Sequence, residues 1–192
     1  MIQPMELSPA VYRLLNPGSV LMVTVGDGER DNIFAVTWNM PVRKDPPMAA
    51  ILSGRRHHSY DFIRRTGEFA LNVPGDSLAR AVYRVGTESG ANVADKFRSA
   101  GLHRKKSRII HTPLVGQSLA ALECRVCQVV DLGASSLLIA NILAAWSDPE
   151  FFDGENWRFD RGPGLLHHLG DNAFCVSREI KTIPKEAPGV SS

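Results

Sequence analysis

The sequence predicts a mainly β fold, a closed antiparallel barrel with short helices inserted between its strands. Short apolar and β-branched runs recur along the chain, each bounded by Gly, Pro, Asp or Asn turn signals. Two long strand-like runs, Leu119 to Val130 and Ser136 to Trp146, flank a loop of hairpin length. The helical stretches are too short to supply the crossovers that a doubly wound parallel sheet needs. Closure of consecutive antiparallel strands would remove exposed edges.

In chain order, Ser8 to Leu15 reads as a short helix stopped by Asn16-Pro17-Gly18, since Pro cannot continue a helix and Gly favours a turn. Val20 to Val25 is an apolar strand running into Gly26-Asp27-Gly28, a hairpin turn, and Ile33 to Thr37 is the return strand. After Asp45-Pro46-Pro47 comes a third strand, Met48 to Leu52. Ser59 is the expected N-cap of a helix that Thr66-Gly67 stops. Glu68 to Val73 is the next strand. Ser77 to Val85 places Leu78, Ala81, Val82 and Val85 at helical spacing. Asp95 to Ala100 is a further short helix ending at Gly101. After Asp148-Pro149 the periodicity fades, and 150 to 180 is expected to be loops with a short strand near Phe174-Cys175-Val176. The tail from Pro184 to Ser192 is small, polar and expected to be mobile. The whole, 1–192, reads as one domain with its core at about 15–180.

Composition narrows the function classes. With 44% hydrophobic and 22% charged residues and a formal charge of only +2, the chain is not expected to bind nucleic acid, which needs concentrated basic charge. The basic run His103-Arg104-Lys105-Lys106 with Arg108 reads as a solvated connector. No apolar run has the length of a membrane span. Met1 to Glu6 lacks a basic region followed by an apolar stretch, so no signal peptide and a cytoplasmic location are expected. Three cysteines make no disulfide framework. Cys124 and Cys127 form a CxxC, but on a strand residues three apart face opposite ways, so no metal site is expected.

Two segments carry the chemistry: Ser53-Gly54-Arg55-Arg56-His57-His58-Ser59, entering a helix, and Gly86-Thr87-Glu88-Ser89-Gly90, followed by Asp95-Lys96-Phe97. Each brings hydroxyls, backbone N–H groups and a cation to where an anionic ligand could sit, as a helix N-terminus with nearby Arg or Lys does for phosphate. A capped surface helix with a few ion pairs would leave the same trace. Thr37-Trp38-Asn39, at a strand end, suits either packing or the polar edge of a planar ring. Gly26-Asp27-Gly28 lacks the third glycine and following helix of a dinucleotide fingerprint. No G-x-S-x-G elbow is present, so a serine hydrolase is not expected. Of the adjacent pairs His57-His58 and His167-His168, the second is the better candidate for direct function.

These residues, with Val20-Leu21-Met22-Val23-Thr24, Thr37 to Val42, Ser59 to Ile63, Thr66 to Phe69, Leu71-Asn72-Val73-Pro74 and Leu122-Glu123-Cys124, give the chain its resemblance to the flavin reductase-like proteins, which include flavoredoxins. The resemblance covers roughly residues 15 to 180. It implies an antiparallel FMN-binding split β-barrel of Greek-key type, acting as a homodimer with FMN at or near the dimer interface. It also implies where contacts fall. Thr37, Trp38 and Asn39 would lie along the flavin ring and ribityl chain. Ser53, Gly54 and Arg55 with His58 and Ser59 would surround the phosphate. Asn72 and Val73 would meet the flavin, and Glu88, Ser89, Gly90 and Lys96 would close over it. His167 and His168 would lie on the substrate side. Many relatives carry Cys-Gly where this chain has Val85-Gly86, which argues against any mechanism using a thiol there. Residues 150 to 165 follow no family pattern.

The implied activity moves electrons from NADH or NADPH through FMN to a flavin, another small molecule or a protein acceptor. The hydride chemistry is the cofactor's own, so binding residues are expected and no catalytic triad. Two alternatives stay open: a flavoredoxin-like electron carrier reduced by a protein partner, or a non-catalytic module binding FMN or haem.

Overall fold

The computed structural model describes residues 8, 11–15, 18–160 and 162–183. The expected mobile tail at 184–192 and the turn at Asn16-Pro17 lie outside the described residues. A 3-10 helix at Val11–Leu15 is followed by strands β1 (Gly18–Ser19), β2 (Leu21–Gly26), β3 (Asp31–Val36), β4 (Asn39–Arg43) and β5 (Met48–Gly54). Then come α1 (His58–Thr66), β6 (Glu68–Val73), a 3-10 turn at Asp76–Leu78, α2 (Ala79–Thr87) and α3 (Lys96–Ser99). The chain continues with β7 (Arg104–Lys105), β8 (Leu114–Val115), β9 (Ala120–Leu132), β10 (Ser135–Ser147), β11 (Leu165–Gly170) and β12 (Ala173–Ser177).

The main sheet has seven strands in the order β3-β2-β6-β9-β10-β5-β4, and every pairing is antiparallel. The β9–β10 hairpin sits between β5 and β6, which are joined through α1, giving Greek-key connectivity. The barrel is split and not closed. Its edge strands β3 and β4 are consecutive in the chain, yet no ladder joins them among the described residues. Pro41 lies in β4 and has no N–H to offer, which suits an edge. The Leu52 N–H donates to the Trp38 carbonyl at 2.9 Å, which extends the β4–β5 pairing by one rung.

The local signals act as expected at most turns. Asp27 accepts from the N–H groups of Glu29 (3.2 Å) and Arg30 (2.8 Å), while Gly28 takes φ +93°, closing the β2–β3 hairpin. Gly67, at φ +67°, ends α1 by donating its N–H to the Ile63 carbonyl at 2.8 Å. β2 is buried on both faces, which is why it reads as an unbroken apolar run. Val23 and Val25 join the core under α1 with Phe62 and Phe69. Met22 joins a second core, where Val82 and Val85 of α2 and Phe97 pack beside Ile33.

Several expectations need correction. Ser59 is not the N-cap of α1: His57 holds that position with extended backbone, and Ser59 lies inside the first turn. The hairpin loop at 131–135 contracts to the two residues Gly133-Ala134, with Gly133 at φ +77°. Leu165–Gly170, expected to be loop, is strand β11, paired with β1 and β12 and anchored by buried Leu166. The basic connector is partly built in: Arg104 holds Asp31 through two bonds (2.7 and 2.8 Å) and Asp95 at 2.8 Å, stacking over Phe97. Cys124 is buried and Cys127 exposed, the latter at a register shift of β9, and neither is in a disulfide.

Candidate functional site

A cleft of about 250 Å³ opens where the start of α1 meets the end of α2 and the segment after it. His58 and Ser59 line it from α1, Asn32 from β3, and Glu88, Ser89, Gly90 and Lys96 from the opposite wall. The first N–H groups of a helix have no partner within it. Tyr60 N–H turns back to the His57 carbonyl at 2.9 Å. Those of His58 and Ser59 belong to the end of α1 that faces the cleft, where the helix dipole favours negative charge. Ser59 is 3% exposed, and its hydroxyl accepts a bond from Asn32 Nδ2 at 2.9 Å, which leaves its own proton free to donate.

The facing wall is held from behind. Lys96 is buried, and its ammonium donates to the carbonyls of Val85 and Glu88, both at 2.7 Å. It thus caps the C-terminal end of α2 as a cation should. Two of its three N–H bonds are spent there, so Lys96 offers charge to the cleft more than hydrogen bonds. Burial pushes its pKa down to about 8, with the Glu88 charge opposing. The Glu88 carboxylate turns away to Arg84 Nε (2.7 Å) and the Ser99 hydroxyl (3.0 Å), and the Arg84 bond holds it below the usual carboxylate range. What the 86–90 segment presents is therefore mostly backbone. Gly90 lies so close to Asn32 that a Cβ there would sit 2.5 Å from Asn32 Nδ2, so only glycine fits without movement.

Ala35, Gly86 and Thr87 are shared with a second cavity of about 290 Å³, lined also by Thr37, Tyr83, His168 and Phe174. The two form one groove. One end is polar and faces the start of α1; the other is more apolar and ends at Thr37 and His168. A group with a negative end and a planar body matches this division.

The structure thus brings together Thr37, His58, Ser59, Glu88, Ser89, Gly90, Lys96 and His168 from five separate parts of the chain. Other expected residues lie elsewhere. Arg55 pairs with Asp131 across the β9–β10 turn, and its neighbour Arg56 lines the cleft. Ser53 is buried with its hydroxyl unpaired, and Gly54 packs under the His57 ring. Trp38 is half exposed and meets Tyr12 edge-on at 5.6 Å. Asn39 bonds Ser19, donating to its carbonyl at 2.9 Å. Asn72 is fully committed to the core, donating to the Met22 carbonyl (3.1 Å) and accepting from Val115 N–H (2.8 Å); Val73 accepts from Leu119 N–H nearby. His167 bonds Ser177 at 2.7 Å and does not line the groove. Sequence reasoning passed over Asn32. The available signal was a lone carboxamide inside the apolar strand β3, with Ile33 and Val36 buried beside it.

Known proteins share the family and the fold. The sequence model of the flavin reductase like domain matches residues 12–170. The uncharacterized protein YddH of Escherichia coli (strain K12) is 32% identical over 179 residues, covering 91% of this chain and 94% of its own. An FMN-binding domain of a flavin reductases-like enzyme from Shewanella baltica OS155 superposes with a TM-score of 0.80 at 26% identity, over 90% of this chain and 93% of that one. Nitrilotriacetate monooxygenase component B from Bacillus cereus shares the fold, with a TM-score of 0.83 at 19% identity over 95% of this chain and 100% of that one.

Proposed function

This chain belongs to the flavin reductase-like family, and we propose that it is an FMN-binding oxidoreductase of flavin reductase type. It takes reducing equivalents from NADH or NADPH and passes them to a flavin, another small molecule or a protein acceptor. The observation that carries the reading is the start of α1, whose first-turn residues His58 and Ser59 line a cleft opposite Glu88 to Gly90, with Ser59 Oγ accepting from Asn32. The FMN-binding Shewanella domain supports the choice of cofactor.

The residues present fit that cofactor. Ser59, the first turn of α1, Arg56 and the buried Lys96 charge suit a phosphate, and the apolar reach toward Thr37, Phe174 and His168 suits a planar ring. Bound FMN supplies the hydride and electron chemistry, which side chains lack. The chain's own part is to bind and orient. Ser59 donates to the phosphate, Lys96 lends positive charge while holding the end of α2, and Gly86 and Gly90 let backbone come close. Val85, buried and lining the cleft, presents an apolar side chain and no thiol there. In the same reading the protein is a homodimer: Trp38, just before edge strand β4, and Met40 and Val42 within it are exposed apolar residues, a surface that pairing would cover.

An absorbance spectrum of the purified protein, followed by anaerobic titration with NADH and NADPH, tests the reading. Flavin bands bleached by either donor are expected. Flavin bands that respond to dithionite alone would replace it with an electron carrier reduced by a protein, and a Soret band with no flavin bands would replace it with haem binding.

A further inference from the structure

We infer that Asn32 is a positioning residue, acting through Ser59, that makes the groove select a phosphorylated flavin over an unphosphorylated one. The inference rests on the FMN reading above. Asn32 is 6% exposed, on a strand whose other buried residues are apolar. Its Nδ2 donates to Ser59 Oγ at 2.9 Å. A hydroxyl has one proton and two lone pairs. With one lone pair receiving from Asn32, the Ser59 proton points elsewhere, and Ser59 lines the cleft at the first turn of α1. The polarity of one carboxamide thereby turns Ser59 into a donor toward an anion. A carboxylate at the same place would draw that proton to itself.

Asn32 also sets the opposite wall. The position of a Cβ on Gly90 lies 2.8 Å from Asn32 Cγ as well as 2.5 Å from Nδ2, so the backbone at Gly90 rests directly on the carboxamide. One side chain therefore fixes both the hydroxyl that faces the ligand and the height of the segment across from it. An apolar residue of similar size would fill the strand position and support Gly90, but would leave the Ser59 proton undirected. Selection for phosphate is what the carboxamide adds.

Fluorescence titrations with FMN and with riboflavin, which lacks the phosphate, test this. Asn32→Asp keeps the shape and reverses the bond. FMN affinity is expected to fall about tenfold or more, the scale of a hydrogen bond to a charged group, and riboflavin affinity by less than about threefold. Asn32→Ala, which adds no charge, carries the test if Asn32→Asp fails to fold by circular dichroism. It should weaken FMN binding in the wild-type background and change it less than about twofold in a Ser59→Ala background, because residues acting as a unit are not additive. Equal losses for both flavins, or full additivity with Ser59→Ala, would overturn the inference and leave the FMN reading standing. So would a wild-type protein that binds FMN and riboflavin equally. A wild-type protein that binds neither removes the FMN reading and this inference together.

Discussion

Two parts of this molecule gather backbone N–H groups around a place for negative charge, and they differ in who supplies the charge. At the far end of the β9–β10 pair, the chain supplies it. The Glu123 carboxylate, fully buried, accepts from the N–H groups of Arg108 (2.8 Å), Ile109 (2.7 Å) and Ile110 (3.1 Å) and from the Trp146 indole (2.7 Å). At the start of α1, Glu88 is the one acidic residue among those lining the cleft, and its carboxylate is turned to Arg84 and Ser99. The first arrangement is closed on itself and serves stability. In the proposed reading the second keeps its donors for a ligand, and that contrast separates a structural nest from a ligand site more sharply than the count of basic residues does.

The largest effect expected from breaking this comparison is at Glu123. Glu123→Ala removes the acceptor of three backbone N–H groups, that of Ile110 buried and those of Arg108 and Ile109 partly so, and of an indole; a buried donor left unpaired costs about 1–3 kcal/mol. Urea denaturation should show a loss of about 3 kcal/mol or more, while the folded fraction binds FMN as before. A loss below about 1 kcal/mol would show that the nest is not structural. Its pH signature follows. Burial opposes the charge on Glu123, but the N–H groups outweigh it, so its pKa lies below the ordinary carboxylate range. Glu68 behaves alike: burial again opposes ionisation, and bonds from His111 N–H and Arg125 prevail. Both therefore contribute stability above the ordinary carboxylate pKa of about 4.3, and it is lost as pH falls through their lower folded values.

Lys96 stands between the two regions, since it both caps α2 and charges the cleft. Lys96→Met should lower stability by about 1–3 kcal/mol, as the carbonyls of Val85 and Glu88 lose their donor, and should also weaken FMN binding about tenfold. An effect on stability alone would move Lys96 to the structural side. With its pKa pushed down to about 8, Lys96 loses its charge in the folded protein above that pH. FMN affinity should fall as pH rises through about 8 while riboflavin affinity stays level; a flat FMN profile from pH 7 to pH 9.5 would contradict the assignment. The unfolded chain keeps this proton up to the ordinary lysine pKa of about 10.4, so between the two values it binds more protons and the Lys96 contribution to stability rises with pH.

The smallest expected effect lies at the adjacent arginines. Arg55, paired with Asp131 at the surface, should tolerate Arg55→Ala with less than about 1 kcal/mol lost and no change in FMN affinity. Arg56→Ala should weaken FMN binding several-fold, because Arg56 lines the cleft. The reverse ranking in a binding titration would mean that the phosphate lies toward the β9–β10 turn.

How much of this was legible in the sequence depends on whether the signal was local. β6, the Gly67 stop and the Asp27 turn follow from neighbouring residues, and each lies where the pattern puts it. β4 and β11 did not declare themselves: one is an edge strand carrying Pro41, the other joins two histidines to a glycine, and only pairing with distant strands makes them strands. At the site, Ser59, Gly90 and Lys96 were visible as an N-terminal hydroxyl, a small residue and a nearby cation. Which arginine faces the cleft was not, because Arg55 and Arg56 are separated by one step of backbone at the end of β5. Nor could spacing show that Asn72 spends its bonds inside the core, or that Asn32, 27 residues from Ser59, would reach it.

The central claim is that the start of α1 is the phosphate seat. A crystal structure of the FMN complex tests it most directly. The account predicts the phosphate within hydrogen-bonding distance of Ser59 Oγ and the first N–H groups of α1. A phosphate bound at Arg55 and the β9–β10 turn, with Ser59 untouched, would contradict it.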